Sequence, residues 1–389
     1  MRVVIIGADG YLGWPLMMRL SGRGHRVMGI DSEARRSWVR EFDSSSAIPI
    51  TGMAERLAAW SKVAPDSMAV FQLMDCRDHD RLCELLALFG PDAIVHLGEM
   101  PSAPFSMADY GRCLETHRNN VEGTLSLLWA MRAHCPDAHL IKLGTMGEYG
   151  TPSTDIPEGW FDLEYGGRKT RALFPRSPGS FYHATKVHDS TNVEFACRAW
   201  GLRSTDIMQG VVYGTRTAEM SGDFKLQTRF DFDAVFGTVI NRFVAQALIG
   251  RVLTPYGSGE QKRGFLPLRD SMDCLTIAVE NPPAAAGEYR VFNQLDTSYS
   301  MLELAAEVGR VAHERTGVMP AIEKLQNPRV EASRHHYNPE SKHLRDLGYK
   351  PTGDLPGQLR EMFEDLAPWV GRIETYAGAI DPQVRWRTP

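Results

Sequence analysis

An α/β fold, a doubly wound parallel sheet followed by a smaller α/β unit, is predicted by three features of the 389-residue chain. Short apolar runs alternate with amphipathic stretches through residues 1–214, the rhythm of successive β-α-β units. The chain opens with a strand, a glycine-rich turn, a helix and a second strand ending on an acid. A tyrosine and a lysine four residues apart, Tyr182 and Lys186, follow the fifth predicted strand.

Composition bounds the class. Hydrophobic content of 43% and charged content of 23% are those of a soluble globular protein. A net charge of -5 without a like-charge block argues against a dedicated nucleic-acid binder. The longest apolar runs, such as Val3 to Ile6, fall far short of a membrane span, and no charged-then-apolar leader precedes the first strand. Six cysteines (Cys76, Cys83, Cys113, Cys135, Cys197, Cys274) are scattered with no C-x-x-C pair. Neither disulfides nor a metal site are expected, and a reducing cytoplasm fits best.

The elements follow in order. Val3 to Ile6 reads as a buried parallel strand, and Gly7-Ala-Asp-Gly10-Tyr-Leu-Gly13 follows at once. Gly7 permits the tight turn, Gly10 the approach of a pyrophosphate, and Gly13 close helix–strand packing, which is the Rossmann arrangement for a dinucleotide. A helix to about Arg23 offers its free N–H groups to phosphates. Arg26 to Ile30 forms the second strand, and Asp31 stands where a carboxylate takes the adenosine ribose hydroxyls, favouring NAD. Arg35 and Arg36 follow, and an arginine there can accommodate a 2′-phosphate. A helix is expected over Met53 to Trp60, a strand over Val70 to Leu73, and Asp75 beyond it near the adenine amine.

A helix over Asp78 to Phe89 and a strand over Ala93 to Leu97 lead into the loop Gly98-Glu-Met-Pro-Ser-Ala-Pro104 at the ligand-bearing edge of the sheet. Asn119 and Asn120 fall inside a helix predicted from His117 to Ala133, where one of them is expected to make a specific bond. The strand His139 to Leu143 delivers Thr145 and Gly147 to the same edge. Gly166-Gly167 marks a hairpin turn within residues 151–180, expected to form a flap over the site. On the helix Tyr182 to Ala199, Tyr182 and Lys186 share one face. A lysine ammonium there lowers the pKa of the phenol and makes it a general base near neutrality. The strand Ser204 to Gln209 closes this part. Residues 1–214 are assigned mainly to the dinucleotide domain and 215–389 mainly to a substrate domain, partly interleaved. Arg263 and Arg329 in the latter are candidates for a diphosphate. Residues from Ile380 to Pro389 read as a weakly held tail.

The glycine turn, Asp31, Thr145, Tyr182 and Lys186 occur in the order of the extended short-chain dehydrogenase/reductase family. The chain resembles the nucleotide-sugar branch of that family, most nearly the UDP-sulfoquinovose synthases. The likeness runs from Met1 to about Tyr349, through Ala8 to Trp14, Ser102-Ala-Pro-Phe-Ser-Met107 and Leu143-Gly-Thr-Met-Gly-Glu-Tyr-Gly-Thr-Pro152. Ser180-Phe-Tyr-His-Ala-Thr-Lys-Val-His-Asp-Ser190, Gln209-Gly-Val-Val-Tyr-Gly214 and Asn327-Pro-Arg-Val-Glu331 extend it.

The resemblance implies NAD, held by the glycine turn with Tyr11 and Leu12, by Asp31 and Arg36, and by Asp75 and Cys76. Leu97, Gly98 and Asn119, then Tyr182, Lys186 and Gln209, complete those contacts. It also implies a nucleotide-sugar substrate, UDP-glucose, and a homodimer formed by paired helices. Tyr182 would take the C4-hydroxyl proton with Lys186 tuning it, and Thr145 would hold the C4 oxygen. Loss of the C6 hydroxyl and addition of sulfite would follow, with His183 as acid or base. Met100, Pro101, Gly147 and Gln209 would border the sugar. Where that family carries Gly-Glu-Gln-Arg-Ser-Ala-Pro, this chain has Met100 and Pro101 in place of an amide and a cation. The alternative activity is therefore a 4-epimerase of a UDP-hexose or UDP-hexuronate, which needs no sulfite. A non-catalytic NAD sensor is disfavoured because Thr145, Tyr182 and Lys186 are all present.

Overall fold

Val3, Val4 and Ile5 are each 0% exposed, which places the first strand at the centre of a sheet covered on both faces. The computed structural model describes residues 1–220, 222–329 and 336–386. Its first half runs β1 (Arg2–Ile6), α1 (Gly13–Gly22), β2 (Arg26–Asp31), α2 (Ala34–Arg40), α3 (Met53–Val63), β3 (Met68–Leu73), α4 (His79–Phe89) and β4 (Ala93–His96). Then come α5 (Ala103–Ser106), α6 (Tyr110–His117), a π-helical turn over Arg118–Glu122, α7 (Gly123–His134), β5 (His139–Thr145), β6 (Trp160–Tyr165) and β7 (Arg168–Leu173). After α8 (Phe181–Trp200) and β8 (Arg203–Gln209), the chain forms β9 (Val211–Tyr213), α9 (Val239–Leu248), β10 (Lys262–Pro267), α10 (Leu268–Glu280) and β11 (Tyr289–Gln294). It closes with β12 (Thr297–Ser300), α11 (Met301–Thr316), α12 (His343–Asp346), α13 (Leu355–Leu366) and α14 (Val370–Thr375).

The large sheet has the order β11-β8-β5-β4-β1-β2-β3, every neighbouring pair parallel. Val3 lies opposite Val27 of β2 on one side and Ala93 of β4 on the other. The chain leaves β1 in opposite directions to reach these neighbours, so a crevice opens at the carboxyl ends of β1 and β4. Alternate residues of the strands feed one apolar cluster on each face: Val4, Ile6, Ile94 and Leu140 on one, Val3, Ile5, Val95 and Ile141 on the other. A separate three-stranded sheet, β12-β10-β9, is backed by α9, α11 and α13, whose Phe243, Leu304, Val308 and Leu359 form a third cluster.

Several expectations change. Helices α2 and α6 were not foreseen; each is short and buries little, Val39 in α2 and Thr116 in α6. The helix expected from His117 is the continuation of α6 through the π turn into α7. The hairpin β6–β7 turns at Gly166 and Gly167, both with positive φ (58° and 73°), as a two-residue turn requires. Instead of covering the site as a flap, it packs Trp160, Phe161 and Leu173 on the cluster that contains Tyr149 and Phe174. Only its flanks, including Gly150, Thr151 and Ser177, reach the crevice. The expected loose tail is also corrected as far as Trp386: Ile380 is fully buried, Arg251 holds Asp381 at 2.9 Å, and the Trp386 N–H donates to the Pro328 carbonyl. Residues 387–389 lie outside the described residues.

Candidate active site

The crevice is one continuous cleft of about 700 Å³, within the range of small-molecule sites. Its floor begins at the glycine turn. A Cβ at Gly13 would fall 2.0 Å from the Gly7 carbonyl oxygen, so only glycine lets α1 start this close to β1. The first turn of α1 carries neither a side-chain cap nor an acid, and Gly10, Tyr11, Leu12 and Gly13 border the cleft with it. That arrangement presents a helix dipole to an anion. Asp31 accepts the backbone N–H groups of Asp9 and Glu33 at 2.9 and 2.6 Å and also borders the cleft. Burial, reinforced by Asp9, pushes its carboxyl up to about 6 against those two hydrogen bonds.

Arg36 is not on the cleft. Its guanidinium is bound by both oxygens of Asp9, at 2.8 and 2.7 Å, and the buried Arg56 also reaches Asp9. The neighbouring Arg35 borders the cleft in its place, with Nη2 on Asp231 at 2.7 Å and its plane 4.2 Å from the Phe236 ring. Asp75 and Cys76 line the far edge. The Asp75 carboxylate, expected at the adenine amine, is held by Arg77 at 2.6 Å.

Helix α8 begins at Ser180, whose Oγ accepts the His183 N–H, and presents Tyr182 and Lys186 one turn apart. Lys186 Nζ pairs with Glu99 and donates to the Leu143 carbonyl at 2.5 Å. This overturns the expected lowering of the Tyr182 pKa. Burial raises the phenol well above its usual range, and Glu99 and Glu148 add to the rise. The lysine charge is directed at Glu99, whose carboxylate acts on the phenol in the opposite sense.

Thr145 caps the short 3₁₀ turn Met146–Glu148, accepting the Gly147 N–H at 3.1 Å, so its own O–H remains a donor at the cleft. His183 also lines the cleft, its ring centroid 5.0 Å from that of Tyr182 and its Nδ1 3.0 Å from Ser180 Oγ. Burial, then Arg329 and Arg263, hold its pKa down at about 3. The ring is therefore neutral near pH 7, so it enters a reaction as a proton acceptor and can be an acid only after taking up a proton. A Cβ at Gly147 would lie 2.3 Å from His183 Nε2, so any other residue there would displace the ring.

Leu97, Gly98, Asn119, Pro101 and Gln209 all border the cleft. Gln209 is oriented by Ser271 and Gln294, at 3.2 and 3.0 Å. Met100 does not border it. Its side chain is 0% exposed and packs with Val39, Phe42, Phe105 and Phe236, while its backbone N–H donates to Asn120 Oδ1 at 2.7 Å. Of the adjacent asparagines, Asn119 lies at the cleft and Asn120 makes the buried bonds.

The second half contributes Arg263 and Arg329 to the same cleft, joined by Arg229, Arg242, Tyr256 and Trp386, which sequence reasoning missed. Arg329 stacks over the Trp386 ring at 5.5 Å. Val330 and Glu331 of the segment singled out beside Arg329 lie outside the described residues. A signal for Arg242 exists: it interrupts the apolar face of Val239-Ile-Asn-Arg-Phe-Val, where a guanidinium is buried only for a reason. Glu99 carried no comparable signal.

Residues 3–293 match the NAD dependent epimerase/dehydratase family. The chain is 44% identical over 390 residues to UDP-sulfoquinovose synthase of Sulfolobus acidocaldarius, spanning 100% of this chain and 98% of that one. It is 42% identical over 386 residues to the chloroplastic UDP-sulfoquinovose synthase of Spinacia oleracea, spanning 99% and 79% of the two. The solved UDP-glucuronic acid 4-epimerase of Bacillus cereus, in complex with UDP-glucuronic acid and NAD, has a TM-score of 0.68 at 20% identity. That likeness covers 96% of this chain and 100% of the epimerase, and speaks for the fold alone. With the glycine turn, the Tyr182–Lys186 pair and Thr145 on one cleft, the chain belongs to the NAD dependent epimerase/dehydratase family.

Proposed function

We propose that the protein is an NAD-dependent UDP-sulfoquinovose synthase, which oxidises UDP-glucose at C4, removes the C6 hydroxyl and adds sulfite at C6. The observation that carries it is a single cleft bordered by the dinucleotide turn, by Thr145, Tyr182 and Lys186, and by Arg263 and Arg329.

The cleft fits NAD on its own geometry. The glycine cradle tolerates no Cβ at Gly13, α1 is uncapped, and the Asp31 carboxylate is fixed by two backbone N–H groups. Gly7 to Gly13 would hold the diphosphate and Asp31 the adenosine ribose, with Lys186 and Tyr182 nearest the reacting end. When bound, NAD supplies a reversible hydride acceptor for sugar C4 and a positively charged ring beside the phenol. Tyr182 takes the C4-hydroxyl proton, and Thr145 donates its hydroxyl to the same oxygen. A ketone at C4 acidifies C5–H; His183, neutral and on the cleft, would take that proton, and the imidazolium so formed would return it to the C6 hydroxyl, which leaves as water. Arg263 and Arg329 bind the substrate diphosphate. Met100 is buried and Pro101 borders the cleft, so the alternative, a 4-epimerase without sulfite chemistry, rests on the cation missing at Pro101.

Two further points belong to this reading. Leu125, Trp129, Phe181 and Phe195 of α7 and α8 are 39–50% exposed, and the Trp129 ring lies tilted against Trp200, centroids 4.8 Å apart. This apolar face supports a homodimer through those helices, and sedimentation equilibrium giving a monomer would exclude it. Six free cysteines support a reducing cytoplasm, and no helix among the described residues is long and apolar enough to cross a membrane.

The deciding experiment is mass spectrometry of products from UDP-glucose with and without sulfite. A sulfite-dependent UDP-sulfoquinovose signal is expected. An isobaric product regardless of sulfite, resolved as UDP-galactose, would make the protein a 4-epimerase instead.

A further inference from the structure

We infer that the C-terminal segment from Pro382 to Trp386 is a strap that closes the substrate end of the cleft, with Trp386 as a positioning residue acting through Arg329. Gln383 and Arg385 are exposed while Val384 and Trp386 are partly buried, the alternation of an extended chain laid across a surface. Val384 packs on the cluster that includes Phe105, Val235 and Phe236. Trp386 borders the cleft, and its ring lies 5.5 Å from the Arg329 guanidinium. The segment therefore joins the loop after β4 and the chain before α9 to the stretch that carries Arg329. The gap beneath it, about 10 Å³, has room for no more than one water.

The two ends of the strap are held unequally. At its start both carboxylate oxygens of Asp381 accept from Arg251 Nη2 at 2.9 Å, Ile380 is fully buried, and the Ala379 carbonyl accepts the Ala234 N–H. From Pro382 onward, among the described residues, the backbone makes one hydrogen bond, from the Trp386 N–H to the Pro328 carbonyl. So few bonds put the segment at the low end of local stability, and it can open while the anchor and the cores stay folded. Closure is favoured by the ring on the guanidinium, and an arginine held by a bound diphosphate is a fixed target for that ring. Anion and strap then grip Arg329 together, and each strengthens the other by the same factor.

Resting on the nucleotide-sugar reading, the test uses the NAD-loaded protein with UDP and, as a control without phosphates, uridine. Trypsin cuts after the exposed Arg385, and intact-mass spectrometry follows that cut. Saturating UDP is expected to slow it about fivefold, the scale of one cation–π contact, and uridine by less than about twofold. Deleting residues 382–389 should weaken UDP, measured by calorimetry, by the factor seen in the protection, because both report one closing equilibrium. Trp386→Ala should match the deletion, and Trp386→Phe, which keeps a ring on the guanidinium, should bind UDP within about twofold of the parent. Parent-like UDP affinity in the deletion or in Trp386→Ala, or equal protection by uridine, overturns the inference while leaving the proposed function standing. A parent protein that binds no UDP overturns both.

Discussion

Glu99 changes the chemistry expected of its two neighbours more than any other residue. It neutralises Lys186 and raises the Tyr182 phenol, second only to burial. On the proposed mechanism catalysis needs the phenolate, whose fraction rises with pH through the phenol pKa, so the rate has an acid limb set by that group. Replacing Glu99 by Gln removes the negative charge, lowers the phenol pKa and frees the lysine field, so the acid limb moves to lower pH. The expected displacement is about one pH unit, read from kcat against pH with bound NAD unchanged. A limb that stays in place or moves upward would rule out this coupling. The pair Tyr182 and Lys186 was legible because it is a spacing of four on one helix, and Thr145 because it ends a strand. Glu99 was not, since its partner is brought to it only by the packing of β4 against β5 and α8. The same holds for Arg36, which spacing placed near a ribose but which Asp9 removes from the cleft.

Asn120 ties three elements together. It lies in the π turn between α6 and α7, its Oδ1 accepts the Met100 N–H, and its Nδ2 donates to Thr185 Oγ1 of α8 at 2.9 Å. A π turn widens the helix by one residue and brings both asparagines toward the loop after β4, Asn119 at the cleft and Asn120 behind it. Asn120→Ala strands the buried Met100 N–H and is expected to cost about 2–3 kcal/mol of stability in chemical denaturation. A loss below about 0.5 kcal/mol would mean that the loop does not depend on this side chain. At this scale the strands from β1 to β5 and β8 were legible, because central parallel strands are apolar on both faces; β9 to β12 were not, and the segment around Arg263, read as a loop, is β10. The π turn was not, as it differs from an α-helix by one residue of register and leaves no periodic trace. The hairpin turn was legible from Gly166-Gly167, but its direction was not, being set by where Trp160 and Phe161 pack.

Contacts between the two halves make the cleft a product of the whole chain. Trp14 Nε1 donates to the Leu226 carbonyl and Thr228 Oγ1 to the Tyr11 carbonyl, while the Tyr11 hydroxyl donates to the carbonyl of Gly214, where the first half ends. Asp231 binds Arg229 at 2.9 Å and Arg35 at 2.7 Å, and β11 returns to the edge of the first sheet. The strand–helix alternation of the first half could be read from local patterns, but not the return of β11 to the sheet edge. These clasps could not, because Arg35 and Asp231 lie 196 residues apart and nothing in either segment specifies the other. These three contacts at the dinucleotide end, Trp14–Leu226, Tyr11–Thr228 and Arg35–Asp231, imply that the halves unfold together and that NAD strengthens all of them at once. Asp231→Ala leaves Arg229 buried and Arg35 partly buried without their carboxylate, a change expected to cost about 3–5 kcal/mol. Calorimetry of the NAD-free parent should give one transition, lowered in the variant but still single, with added NAD raising both by mass action. Two separated transitions in the parent would mean that the halves are independent, and an undiminished melting temperature in the variant would mean that Asp231 does not clasp them.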